Sequence, residues 1–198
     1  MKNKFFTFIL IALIYSTANS QSLKYGLKAG MNISKFSSNT NDPYSDYNGR
    51  VGFHLGGLLE VPLNDKFSIQ PELLCSFQGA NINYGERKFT LNYLQLPILG
   101  KYYIINGLSA EAGPVLGYLI SAKYNATLTS EGGRETVDVT ENYKSIDVGL
   151  GLGASYKLKS DLFFGLRYNF GILDINDDSV KDSKIKNNVF QISVGYLF

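Results

Sequence analysis

Only a few residues in this 198-residue chain have types and spacing suited to chemistry. His54 is the single histidine, and a Ser–His–Glu hydrolase acting on lipid would need it as its base. No serine or acidic residue stands in a telling position beside it in sequence, so the expectation is a hydrogen-bonded interior histidine. Cys75 is the single cysteine. It allows no disulfide within the chain, and with one histidine it falls short of a zinc ligand set. The glycines recur at every second residue in places such as Gly149, Gly151 and Gly153, a spacing that packs strands and does not cradle phosphate. No cofactor is expected. The charges that matter are those interrupting apolar stretches: Glu60, Glu72, Lys101, Glu111, Asp147 and Arg167. They are read as one structural network, because a charge in a narrow interior must be paired or wetted.

The elements that would position them are strands. In Ile146–Tyr156, residues Ile146, Val148, Leu150, Leu152, Ala154 and Tyr156 alternate with Asp147, Gly149, Gly151, Gly153 and Ser155. A helix does not produce a period of two. The same alternation runs from Leu23 to Ser34, Val51 to Val61, Phe67 to Gln78, Phe89 to Tyr103, Leu108 to Ser121, Leu162 to Ile172 and Val189 to Phe198. That is about eight strands, with short turns at 62–66, 104–107 and 157–161. Long polar loops fall at about 36–50, 79–88, 124–144 and 174–187. The last strand ends on an aromatic residue and needs a partner for its backbone, so it is expected to pair with the first and close a ring.

Which face meets which medium follows from composition. One face is almost free of charge, and the other carries the six charges and most of the glycines. Glycine on a wet face would only weaken a strand, whereas inside a narrow barrel it makes room for neighbouring side chains. The reading is therefore all-β: an eight-stranded antiparallel up-and-down transmembrane barrel, apolar side to lipid and ionic side to the lumen. Pro71, Pro97 and Pro114 interrupt it, and local bulges are expected there.

Residues 1–20 form a separate object: a basic start at Lys2 and Lys4, an apolar run over 5–15, and a small polar stretch with Ala18 and Ser20 spaced like a cleavage site. A signal peptide over 1–20 and a barrel over 21–198 are expected. Without Lys2 and Lys4 the chain is close to neutral, which argues against nucleic acid as a partner.

Three stretches carry a family resemblance: Leu94–Tyr103 (LQLPILGKYY), Ala112–Tyr118 (AGPVLGY), and Gly165–Tyr168 (GLRY) with Gly171–Ile172. They resemble the small outer-membrane β-barrel proteins of the PorT and OmpX-like kind. The resemblance implies an outer-membrane location in a Gram-negative bacterium, periplasmic termini, surrounding lipid, and a non-enzymatic structural or binding role, with a part in protein secretion for PorT itself. It also implies that Tyr196 and Phe198 belong to a signal read by the barrel-assembly machinery. Tyr44, Tyr47, Tyr84, Tyr124 and Tyr143 in the loops suit an external protein or glycan, or the headgroup boundary. A narrow channel and a lipid-modifying hydrolase are the competing readings.

Overall fold

The computed structural model describes residues 23–38, 47–82, 87–128, 133–177 and 184–198. The expected segment 1–20 lies outside them, as do Tyr44 and Tyr84. Nine strands form one antiparallel sheet: β1 (Lys24–Ser38), β2 (Tyr47–Pro62), β3 (Phe67–Ile82), β4 (Arg87–Ile105), β5 (Leu108–Leu128), β6 (Gly133–Asp138), β7 (Ile146–Lys157), β8 (Leu162–Gly171) and β9 (Ile185–Leu197). Eight of them close a barrel. Each pairs with its neighbour, β4 with β5 and β5 with β7, and β1 joins β9 from Gly26↔Leu197 to Ser38↔Ile185.

The ring is strongly sheared. Paired residues lead from Asp147 through Gly117, Gln95, Leu74, Gly56, Lys28, Gly195 and Phe163 back to β7 at Lys157, ten residues further along the same strand. Shear of this size tilts the strands and fixes a narrow interior that side chains can fill.

Orientation is the decisive fact. Leu150, Leu166 and Ile192 are 40%, 52% and 46% exposed, while Glu72, Lys101 and Arg167 are 1%, 5% and 2% exposed. The outer wall carries two aromatic bands. Toward the short turns lie Tyr25, Phe67, Tyr102, Tyr156, Phe164, Tyr196 and Phe198, all exposed, with Tyr25 against Phe198 at 5.5 Å and Phe67 against Tyr102 at 5.0 Å. Toward the long loops lie Phe53 stacked on Phe77 at 4.2 Å, and Tyr168 against Phe170 at 4.5 Å. Aliphatic residues fill the wall between, the distribution of a bilayer-spanning barrel.

Three expectations need correction. The prolines do not cause bulges. The ladder lapses between Pro71↔Ile98 and Leu74↔Gln95, and between Pro97↔Val115 and Gly100↔Ala112, yet both strands advance by the same number of residues across each gap. A missing N–H removes a rung, but proline's φ suits an extended chain, so register is kept. The shifts occur elsewhere: between Gly49 and His54 on β2, at Asn92/Tyr93 and at Tyr103/Ile105 on β4. Secondly, the stretch expected as a long polar loop at 124–144 carries strand at both 124–128 and 133–138. β5 runs on to Leu128 and β6 pairs back onto it from Lys123↔Asp138 to Leu128↔Gly133, followed by a short 3₁₀ turn at Thr140–Asn142. Thirdly, Phe36 belongs to β1 and is buried.

Candidate functional site in the barrel lumen

The lumen is filled in layers. Nearest the short turns, Leu58, Phe163 and Leu197 pack together as an apolar floor. Above it, Glu60 accepts from Lys101 Nζ at 3.1 Å and from the Tyr103 hydroxyl at 2.5 Å. Lys101 also donates to Gln70 Oε1 at 3.0 Å, and Gln70 Nε2 donates to Glu72 Oε1 at 2.7 Å. Glu72 is the hub. Arg167 grips it with both terminal nitrogens, at 2.8 and 2.7 Å, while its Nε donates to Glu111 Oε1 at 2.8 Å. Lys28 completes the set at 3.2 Å from Glu72. Three cations balance three carboxylates, each held by short, well-directed bonds, which is the condition under which buried charges repay their desolvation.

Five of the six charges singled out in the sequence therefore meet. Asp147 does not: it stands higher, against Gly117 on β5, and among the described residues no cation pairs with it. Lys28 was missed, although its inward parity between Gly26 and Gly30 was readable.

His54 is a hydrogen-bonded interior histidine whose partners are distant in sequence. Its Nε2 lies 3.0 Å from Ser193 Oγ and its Nδ1 2.8 Å from Asn32 Oδ1. The three residues come from the neighbouring strands β2, β9 and β1, brought level by the registers that set His54 and Ser193 opposite Gly30. The order Ser–His–Asn resembles a nucleophile, its base and an orienting amide. However, all three are buried, His54 to 1% exposure, so neither lipid nor solvent reaches the hydroxyl. As a structural bridge, His54 should matter for stability: His54→Ala leaves Asn32 and Ser193 without it and is expected to cost about 1–3 kcal/mol, read as a lower urea midpoint.

The loop-end mouth is closed by an apolar cluster. Phe36, Leu91, Tyr93, Leu119 and Ile185 from the wall surround Ile175 and Tyr143, which come from the segments after β8 and after the 3₁₀ turn. Tyr143 is thus part of this lid, not a free contact residue, and Tyr124 packs on Phe89 at 4.9 Å. A latch holds the lid. Asp174 Oδ1 accepts from the amides of Asn176 at 3.1 Å and Ile185 at 2.8 Å, and Lys144 lies 3.6 Å from Oδ2. Lys144 N donates to Ile175 O at 2.9 Å, and Tyr143 bridges Asn176. Partial burial opposes ionisation of Asp174, but the two amide donors and Lys144 outweigh it and hold the carboxyl below its ordinary range. Its folded pKa is depressed, so the latch is fully present above the ordinary carboxylate pKa and is lost as pH falls through the depressed one. Amide-exchange protection at Ile185 should fall over that acidic interval, and Asp174→Asn should flatten the dependence.

With this architecture in view, the comparison with known proteins is direct. The family model described as "Outer membrane protein beta-barrel domain" matches residues 18–177. The chain belongs to this family. No curated protein sequence matches it. Among solved structures, this outer-membrane barrel is similar to Ail, the attachment invasion locus protein of Yersinia pestis, with a TM-score of 0.55 at 14% identity, covering 90% of this chain and 100% of Ail. The same protein bound to the heparin analogue sucrose octasulfate gives 0.53 at 14% identity, with 90% and 100% covered. Neisserial surface protein A gives 0.54 at 14% identity, again with 90% and 100% covered. At such identities the likeness is one of fold.

Proposed function

We propose that this outer-membrane barrel is a non-enzymatic contact protein that meets an external protein through the sheet formed by β5 and β6 beyond its loop-end aromatic band. One observation carries the reading: the lumen is filled from floor to lid, while β6 pairs with β5 alone among the described residues and leaves its other edge for a strand from a partner. An exposed edge strand offers a row of backbone donors and acceptors, and Val137 is exposed on it. A glycan at the same end, or a place in a secretion assembly as for PorT, would use the same exposed surface.

The proposal includes export by residues 1–20, a mature chain starting at Gln21, and periplasmic termini. The start of β1 and the end of β9 share the short-turn end, and Tyr196 and Phe198 face outward there, open to the assembly machinery. Amino-terminal sequencing of the membrane-extracted protein should begin at Gln21.

Copurification from native membranes tests the main reading. The wild-type barrel should bring down a protein that Val137→Pro loses, with heat-modifiable migration intact in both. Equal recovery would overturn the role of β6, and recovery of a glycan alone would reassign the partner. A filled lumen also predicts no steady conductance in planar bilayers; a stable open state would favour the channel.

A further inference from the structure

Between the lid and the ion network the lumen wall changes character. Tyr93, Gln95, Asp147, Asn169, Asn187 and Gln191 are all more than nine-tenths buried, and each has at least one side-chain oxygen without a hydrogen-bond partner. Buried polar atoms are nearly always paired in native proteins, so six such residues in the upper lumen call for an explanation.

Their placement is not random. Gln95 and Asp147 both pair with Gly117, one on each side. A Cβ at Gly117 would lie 3.3 Å from the Tyr93 ring and 3.4 Å from Asp147 Cβ, so the glycine is where these side chains draw together. Asn187 lies beside the Asp147 carboxylate and hydrogen-bonds to it through its side-chain amide. Below them, Asn169 lies over Gly151, 3.0 Å from where a Cβ would sit, and Gln191 pairs with Arg167 of the network.

The unpartnered atoms are mostly acceptors, and the surrounding bonds fix that polarity. Asn187 Nδ2 donates to Gln78 Oε1 at 2.6 Å, and Gln191 Nε2 donates to Asn32 Oδ1 at 3.0 Å. Turning either amide over would break those bonds, so both present oxygen. Asp147 adds the single charge in this layer, with no ion-pair partner among the described residues. Asp147 Oδ1 and Gln95 Oε1, both unpartnered and with no positive group among the described residues to answer them, are the ligand chemistry of a hard cation.

We propose that the upper lumen binds a small, oxygen-seeking metal cation, with Asp147 as its charged ligand and the side-chain oxygen of Gln95 as a neutral one. Gln191 and Asn169 line the floor of the site, and the lid carrying Ile175 and Tyr143 covers it. This is independent of the contact role given to β6. The cation neutralises Asp147 as Lys28, Lys101 and Arg167 neutralise the deeper carboxylates.

Terbium luminescence excited through tyrosine tests it, since Tyr93 stands at the site and the chain has no tryptophan. The full protein, extracted from membranes in detergent and stripped with chelator, should give a saturable signal of one ion per chain above the signal of Asp147→Asn. Calcium competing it away makes the site divalent; competition by sodium alone makes it monovalent, and either supports the proposal. Asp147→Asn should weaken binding at least tenfold while keeping heat-modifiable migration. Should that variant fail to assemble, Gln95→Leu reads the same loss. Equal terbium binding in wild type and variant, or none in wild type, would overturn the site.

Discussion

Exchange of Arg167 for methionine should destabilise the barrel by about 3–5 kcal/mol, the loss typical when one partner of a buried ion pair is removed. Arg167 hydrogen-bonds both Glu72 and Glu111. Without it Glu111 loses its ion-pair partner among the described residues, and Glu72 keeps Lys28. Removing Glu111 as well should recover much of the loss: in Arg167→Met/Glu111→Leu one balanced pair, Lys28 with Glu72, remains where four charges stood. Urea titration of the refolded barrel in lipid vesicles measures both variants, and the double-mutant cycle gives their coupling. Additive losses would mean that the two residues do not act as a unit.

The second large effect is expected at Gly30, on the seam where the first strand meets the last. A Cβ there would fall 2.0 Å from Ile192 O, 2.7 Å from His54 Cε1 and 2.8 Å from Ser193 Cα. Two of these contacts are backbone, and the third is a ring held at both nitrogens. Nothing nearby can yield cheaply. Gly30→Val should cost on the order of 3 kcal/mol or more through overpacking, and it should prevent β1 from closing against β9. The readout is loss of the fast-migrating folded form in unheated detergent gels. Valine at Gly57, whose Cβ would meet only Gly26 O at 3.8 Å, is the matched control and should assemble.

Much of this fold was legible because the chain lies between two media. Outward Leu150 and inward Asp147 alternate without slip, since one faces hydrocarbon and the other a polar interior. The same parity placed Glu72, Lys101 and Arg167 correctly and would have placed Lys28. What parity cannot supply is height. His54, Asn32 and Ser193 meet because the registers of β1 with β2 and with β9 set His54 and Ser193 on either side of Gly30, and parity alone does not give register. Asp147 has the parity of a network member but stands too high to join. The hairpin of β5 and β6 was hidden because β6 is short and mostly polar, with Val137 its one large apolar side chain, too few residues for an alternation to show. Ile175 gave no signal either: one isoleucine in a charged loop has no periodicity, and only the latch at Asp174 shows where it goes.

The two bands of rings on the outer wall have a bearing beyond anchoring. Tyrosine and phenylalanine at fixed levels make the molecule a gauge of hydrocarbon depth, and closed strands cannot lengthen or shorten to suit their surroundings. The surrounding lipid must therefore adjust to the protein. Such a body draws lipids of matching length around itself and concentrates where the membrane already has that thickness.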